Sequence, residues 1–218
     1  MKLLLTSAGL SNKSIVNALL ELTEKPFPEL NLAFIPTASN VEDGNKDWLI
    51  KDLVTLTELK FKSIDIVDIS ALPKDIWLPR LQNADVFFVE GGNTFHLMSW
   101  MEKSGLKELL PEMLKTRGYV GVSAGSMIAC KSLDLSTSER LYSEDVGKYE
   151  KDEGFGFVDF LIRPHLNSPH FPNVNLKYLE EISKKLPDTF YAIDDNTAIK
   201  VVDGKMDVVS EGKWKKFN

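Results

Sequence analysis

Five residues, Gly121-Val122-Ser123-Ala124-Gly125, constrain this chain more than any others. They place a hydroxyl between two glycines where an apolar strand, residues 119–122, gives way to a helical pattern. A serine at such a junction sits on a sharp turn, and only small neighbours let its Oγ stand exposed while its backbone presses against adjoining chain. The N–H groups that open the following helix have no helical acceptor, so Ala124 N–H is available to a developing oxyanion. Ser123 is therefore a candidate nucleophile. The competing reading is a tight turn whose serine only caps residues 126–130, and the surroundings have to separate the two.

Those surroundings alternate strand and helix. Apolar runs at 2–5, 30–36 and 84–89 read as buried strands, with a weaker one at 63–69, and residues 12–22, 43–61, 75–81, 95–100 and 106–114 carry helical spacing. Alternation of this kind predicts an α/β fold, a three-layer sandwich with a mostly parallel central sheet and helices on both faces. Ligands bind such sheets outside the carboxyl ends of the strands. A second glycine-rich strand end, Glu90-Gly91-Gly92-Asn93-Thr94, falls at the same edge as Ser123 and predicts one shared cleft.

Beyond Cys130 the pattern loosens. Residues 134–153 are polar and acidic and read as an irregular excursion or lid. A strand over 157–164 leads to His165, a helix covers 174–185, and a strand over 190–193 ends at Asp194-Asp195. Residues 197–202 and 206–210, joined by Asp203-Gly204-Lys205, predict a C-terminal hairpin, and Lys213, Lys215 and Lys216 read as a solvated tail.

At 218 residues, one domain over 1–218 is the expectation. A net charge of -6 without an extended Lys or Arg run gives no footprint for nucleic acid or an anionic membrane. One cysteine permits no internal disulfide and suggests a reducing compartment. With no signal-peptide pattern after Met1, the expected location is the cytoplasm, as a monomer or homodimer. The three histidines and one cysteine offer no zinc spacing, so neither metal nor organic cofactor is implied.

A serine hydroxyl needs a base, and the choices are His96, His165 and His170. His165 is preferred because it stands at a strand's carboxyl end; His170 lies five positions on in a loop, and His96 lies just inside a helix. The base in turn needs a carboxylate to fix its tautomer. Asp194 and Asp195 close the next strand and point to opposite faces if strand geometry persists, so at most one faces His165. Asp134 and Glu139, in the loose excursion, are the weaker candidates. Asn93 and Thr94 on the glycine turn, and Arg163 at the same strand parity as His165, are candidate substrate-binding residues.

Taken in order, residues 89–95, Gly121-Val122-Ser123-Ala124-Gly125, Arg163-Pro164-His165 and the final acidic strand end resemble the dipeptidase E (aspartyl dipeptidase) family of serine peptidases. The resemblance implies a flavodoxin-like, class I glutamine amidotransferase-like fold and hydrolysis of small peptides through an acyl-enzyme. By matching motif positions it implies Ser123 as nucleophile, His165 as base, Asp195 as the triad acid, and Gly92 and Ala124 as oxyanion N–H donors. Asp195 occupies a position that is glutamate in the best-known member, one methylene longer. The aspartyl enzyme of that family also carries an arginine in the loop after the histidine. Here that loop is Leu166-Asn167-Ser168-Pro169-His170-Phe171, and no arginine follows Arg163, so the fork that grips a substrate carboxylate is missing from it.

Two rivals remain. An α/β-hydrolase esterase shares G-x-S-x-G but orders its triad serine, acid, histidine, whereas here the histidine precedes the favoured acid. A non-enzymatic module would use the Gly91-Gly92-Asn93-Thr94 turn to hold an anion, although neither nucleotide-binding glycine fingerprint is present.

Overall fold

The computed structural model describes residues 1–144, 149 and 151–218. Its strands are β1 (Lys2–Thr6), β2 (Asn31–Ile35), β3 (Ser63–Ile66), β4 (Val86–Val89), β5 (Gly118–Val122), β6 (Leu161–Arg163), β7 (Phe190–Ile193), β8 (Thr197–Val202), β9 (Lys205–Ser210) and β10 (Trp214–Phe217). The helices are α1 (Lys13–Thr23), α2 (Thr37–Asn40), α3 (Asp47–Glu58), α4 (Lys74–Gln82), α5 (Thr94–Lys103), α6 (Leu106–Met113), α7 (Ala124–Met127), α8 (Leu135–Tyr142) and α9 (Leu176–Ser183).

A seven-stranded sheet runs β3-β2-β4-β5-β1-β8-β9. Its first five members are parallel, and β8 and β9 add an antiparallel edge. The central strands β4 and β5 are buried at every position because both faces are covered. Leu3, Leu5, Phe87, Val89 and Tyr119 face one core, while Leu4, Val86, Phe88, Val120 and Val122 face the other, in the alternation that a pleated strand imposes. The second core is closed by Ile15, Ala18, Leu19 and Leu22 of α1 and Leu56 of α3; the first by side chains of α4, α5 and α6. The outcome is the expected α/β sandwich with its C-terminal hairpin.

Three expectations need correcting. The strand predicted over 157–164 shrinks to the three residues of β6, which with β7 and β10 forms a separate three-stranded sheet ordered β10-β7-β6. The tail bearing Lys213, Lys215 and Lys216 is largely strand β10, whose Trp214 to Phe217 pair with β7 and whose Phe217 is buried. The excursion beginning at residue 134 contains helix α8, with Thr137, Ser138 and Leu141 buried; Asp145, Val146, Gly147, Lys148 and Glu150 of the predicted lid lie outside the described residues.

Candidate active site

Ser123 leaves β5 with φ 45° and ψ −105°, a strained conformation for a residue with a Cβ. Its neighbours make the turn possible. A Cβ on Gly125 would lie 2.1 Å from the Val89 carbonyl oxygen, so only glycine lets α7 descend this closely onto the end of β4. Ser126 Oγ donates to the Thr6 and Gly121 carbonyls at 2.8 and 2.9 Å, and Ser123 N–H donates to Thr6 O, which ties the elbow to β1 and β5. The β4 turn is equally restricted: Gly92 has φ 123°, and a Cβ there would lie 2.4 Å from the Ala38 carbonyl oxygen. The two turns touch, since a Cβ on Gly91 would lie 3.2 Å from the Ser123 Cβ.

His165 follows β6 and also has positive φ, 65°. Its Nε2 lies 2.9 Å from Ser123 Oγ and its Nδ1 lies 2.7 Å from Asp195 Oδ1. The shorter aspartate therefore reaches the imidazole directly. Burial opposes the charge on Asp195, but hydrogen bonds from His165 and Ser7 outweigh it and hold this carboxyl below the usual carboxylate range. Asp194 points elsewhere and caps its own turn, accepting from Thr197 Oγ1, Asn196 N–H and Lys213 N–H. Phe171 stacks on the imidazole with centroids 4.5 Å apart.

Sequence reasoning missed Ser7. Its Oγ donates to Asp195 Oδ1 at 2.8 Å and accepts from the His165 N–H at 2.8 Å, so one hydroxyl joins the end of β1 to both loops of the small sheet. A signal was present: Thr6-Ser7 sits at the carboxyl end of the first strand, where an α/β sheet gathers its polar groups.

The other predicted residues divide. Gly92, Asn93, His96 and His170 line the same cleft, of about 1670 Å³, as Ser123, His165 and Asp195. Asn93 caps α5 by accepting from His96 N–H. Thr94 is buried and donates through its N–H and Oγ1 to Glu144 Oε1, so it forms wall rather than surface. Arg163 does not reach the cleft. It is 1 % exposed and its Nη2 donates to Asp134 Oδ2 at 2.5 Å, because one of the two neighbouring strand faces it could occupy is core and an arginine there must be paired. That ion pair also removes Asp134 as a partner for His165, and Glu139 lies exposed on α8.

Further carboxyls line the cleft, among them Asp52 of α3 and Glu90 at the end of β4. Burial pushes both above the usual range, and their proximity to each other raises Glu90 further. Among the described residues no His, Cys, Asp or Glu group of three or more has the arrangement of a metal site. No described helix is long and apolar enough to cross a membrane.

With this geometry in view, the family model for peptidase family S51 matches residues 3–209. The chain belongs to peptidase family S51. It is accordingly a peptidase, and the resemblance to dipeptidase E holds. An uncharacterized peptidase of Pasteurella multocida is 28% identical over 180 residues, covering 80% of this chain and 85% of that one. A Peptidase E of Shewanella oneidensis is 32% identical over 146 residues, 65% of this chain and 56% of the relative. The S51 fold is matched by a crystal structure from Listeria monocytogenes EGD-e assigned provisionally to Peptidase E, with TM-score 0.80 at 22% identity over 97% of this chain and 98% of that one. A peptidase from an acI-B1 Actinobacterium superposes with TM-score 0.71 at 19% identity, over 98% and 88%.

Proposed function

We propose that this S51 peptidase is a serine-type exopeptidase acting on small peptides through an acyl-enzyme. The observation that carries the reading is the unbroken relay from Ser123 Oγ to His165 Nε2 and from His165 Nδ1 to Asp195 Oδ1, at 2.9 and 2.7 Å. Asp195 accepts a hydrogen bond from Nδ1–H and so fixes the proton on Nδ1, which leaves Nε2 as a lone-pair acceptor facing the serine hydroxyl. Ser123 Oγ then attacks the scissile carbonyl carbon while its proton passes to Nε2. Gly92 and Ala124 N–H groups, one from each glycine turn, receive the negative charge on the carbonyl oxygen. The imidazolium returns its proton to the leaving amine as the C–N bond breaks. Water, deprotonated by His165, hydrolyses the ester and regenerates Ser123.

Aspartyl selectivity is not part of this reading. Arg163 is held in its ion pair with Asp134, and the cleft wall carries Asp43, Asp47, Asp52 and Glu90 against Lys51 and Lys103. Such a wall favours cationic over anionic groups. Turnover of a dipeptide library by the purified protein, alongside Ser123→Ala, tests the proposal. Release of amino acids by the wild type and its loss in the variant is expected; equal turnover by both would end the serine reading.

A further inference from the structure

Four carboxylate oxygens meet in the cleft wall with one donor between them. Glu90 is fully buried; its Oε1 accepts from Gly91 N–H at 2.8 Å, and its Oε2 has no hydrogen-bond partner. Asp52 approaches from α3 and lies against the turn after Ser7, close enough that a Cβ on Gly9 would meet its Oδ1 at 2.7 Å. The side-chain hydrogen-bond partner of Asp52 is Glu90 itself. Two carboxyls in contact share one proton at neutral pH, because burial and mutual repulsion oppose ionisation of both. The pair then keeps one negative charge and several acceptor sites that the protein leaves unfilled, which is costly unless a ligand fills them.

The position of the pair narrows what that ligand is. Glu90 is anchored on Gly91, whose backbone borders Ser123, and Asp52 borders the turn that begins at Ser7, the residue bonded to Asp195 and His165. The pair thus borders both the turn that carries the nucleophile and the turn that begins at the residue bonded to His165 and Asp195. A group with several N–H donors and a positive charge satisfies it, and a primary ammonium offers three.

We propose that Asp52 and Glu90 form an ammonium subsite that receives a primary amine of the substrate beside the scissile bond. This rests on the peptidase reading of the cleft and adds to it the residues that select a free cationic amine. A free α-amino group held there puts the first peptide bond at Ser123, and a substrate without a free amine leaves the pair unfilled. Asp52 is the accessible member and makes the contact; Glu90, behind it, holds Asp52 through the shared proton.

Calorimetric titration at pH 7.0 tests the subsite without requiring turnover. The ligands are L-leucinamide, N-acetyl-L-leucinamide and Nα-acetyl-L-lysinamide, and fluorophosphonate labelling of Ser123 is measured separately on the same preparations. Leucinamide should bind at least tenfold more tightly than its acetylated form, and Asp52→Asn and Glu90→Gln should each erase that preference. Asp52→Asn should keep a wild-type melting temperature within a few degrees, and Glu90→Gln serves as the second variant should it not. Nα-acetyl-lysinamide binding as well as leucinamide supports the subsite and assigns it to a side-chain amine; binding no better than N-acetyl-leucinamide assigns it to the α-amine. No preference for the free amine in the wild type, or a preference that survives both substitutions, overturns the proposal. Labelling of Ser123 without amine preference sinks the subsite alone, while amine preference without labelling sinks the serine reading alone.

Discussion

The two sheets contribute to the cleft in different ways. The large parallel sheet supplies Ser123 and Gly92 from turns where backbone meets backbone so closely that side chains are excluded, as at Gly125 over Val89 O. The small sheet supplies His165 and Asp195 from loops that follow β6 and β7, and these groups are fixed by side-chain hydrogen bonds, chiefly those of Ser7. One half of the site is therefore set by steric necessity and the other by a polar network. Damage to the first should cost folding as well as chemistry; damage to the second should cost chemistry first.

The largest effects should come from the groups on the reaction path. Ser123→Ala and His165→Ala should each lower kcat by roughly 10⁴-fold or more, and to similar levels because the two act as a unit. His170→Ala should be far milder, which steady-state kinetics on any dipeptide that is turned over will resolve. Next comes the contrast in stability. Gly125→Ala places a methyl within 2.1 Å of Val89 O and should destabilise the fold by several kcal/mol, read by denaturant melts, whereas Asp195→Asn should leave the midpoint nearly unchanged. Asp195→Asn should nonetheless lower kcat by about 10²- to 10⁴-fold through the wrong imidazole tautomer. Ser7→Ala removes the tie between the sheets without removing a reacting group, and a loss of roughly tenfold in kcat is expected. A loss matching Asp195→Asn would mean that Ser7 does more than orient.

The same division decides what the sequence made legible. Steric necessity leaves a mark on composition: glycines at 91, 92, 121 and 125 follow apolar runs, and the central sheet, its helices and Ser123 could be read from them. A polar network leaves little mark, because a serine or aspartate that organises a site looks like one that faces solvent. Ser7 had only its place at the carboxyl end of the first strand to mark it. Strand parity limited the acid to one of Asp194 and Asp195, but only the donors that Asp194 satisfies, two in its own turn and one from Lys213, explain which. The strand before His165 was drawn too long because β6 has only three residues, and β10 read as tail because two of its four residues are lysine, both below what periodicity detects. Arg163 shared parity with His165, yet nothing in the local pattern announced that Asp134, 29 positions away, holds it in the core.

Smaller effects sharpen the comparison at the cleft wall. Asp52 sits at about 7 because of burial, against 3.8 for the free group, so between those values the folded protein holds protons that the unfolded chain releases. Stability should therefore fall as pH rises through that window, and the part due to Asp52 should vanish in Asp52→Asn. Melting temperatures at pH 5 and pH 7.5 should differ less in the variant than in the wild type by a few degrees, the scale of about 1 kcal/mol in a protein of this size. Asp-Leu should show no large kcat/KM advantage over Asn-Leu. A preference of about a hundredfold, roughly 2.7 kcal/mol in transition-state binding, would mean that a cation other than Arg163 grips the carboxylate.

The central claim is that Ser123 is activated by a histidine delivered from the other sheet. Mass-spectrometric mapping of the adduct left by a fluorophosphonate probe, with the rate measured in the wild type and in His165→Ala, tests that claim most directly. The account predicts one adduct, on Ser123, forming at least a hundredfold more slowly when His165 is removed. An adduct on another residue, no adduct, or a rate indifferent to His165→Ala would contradict it.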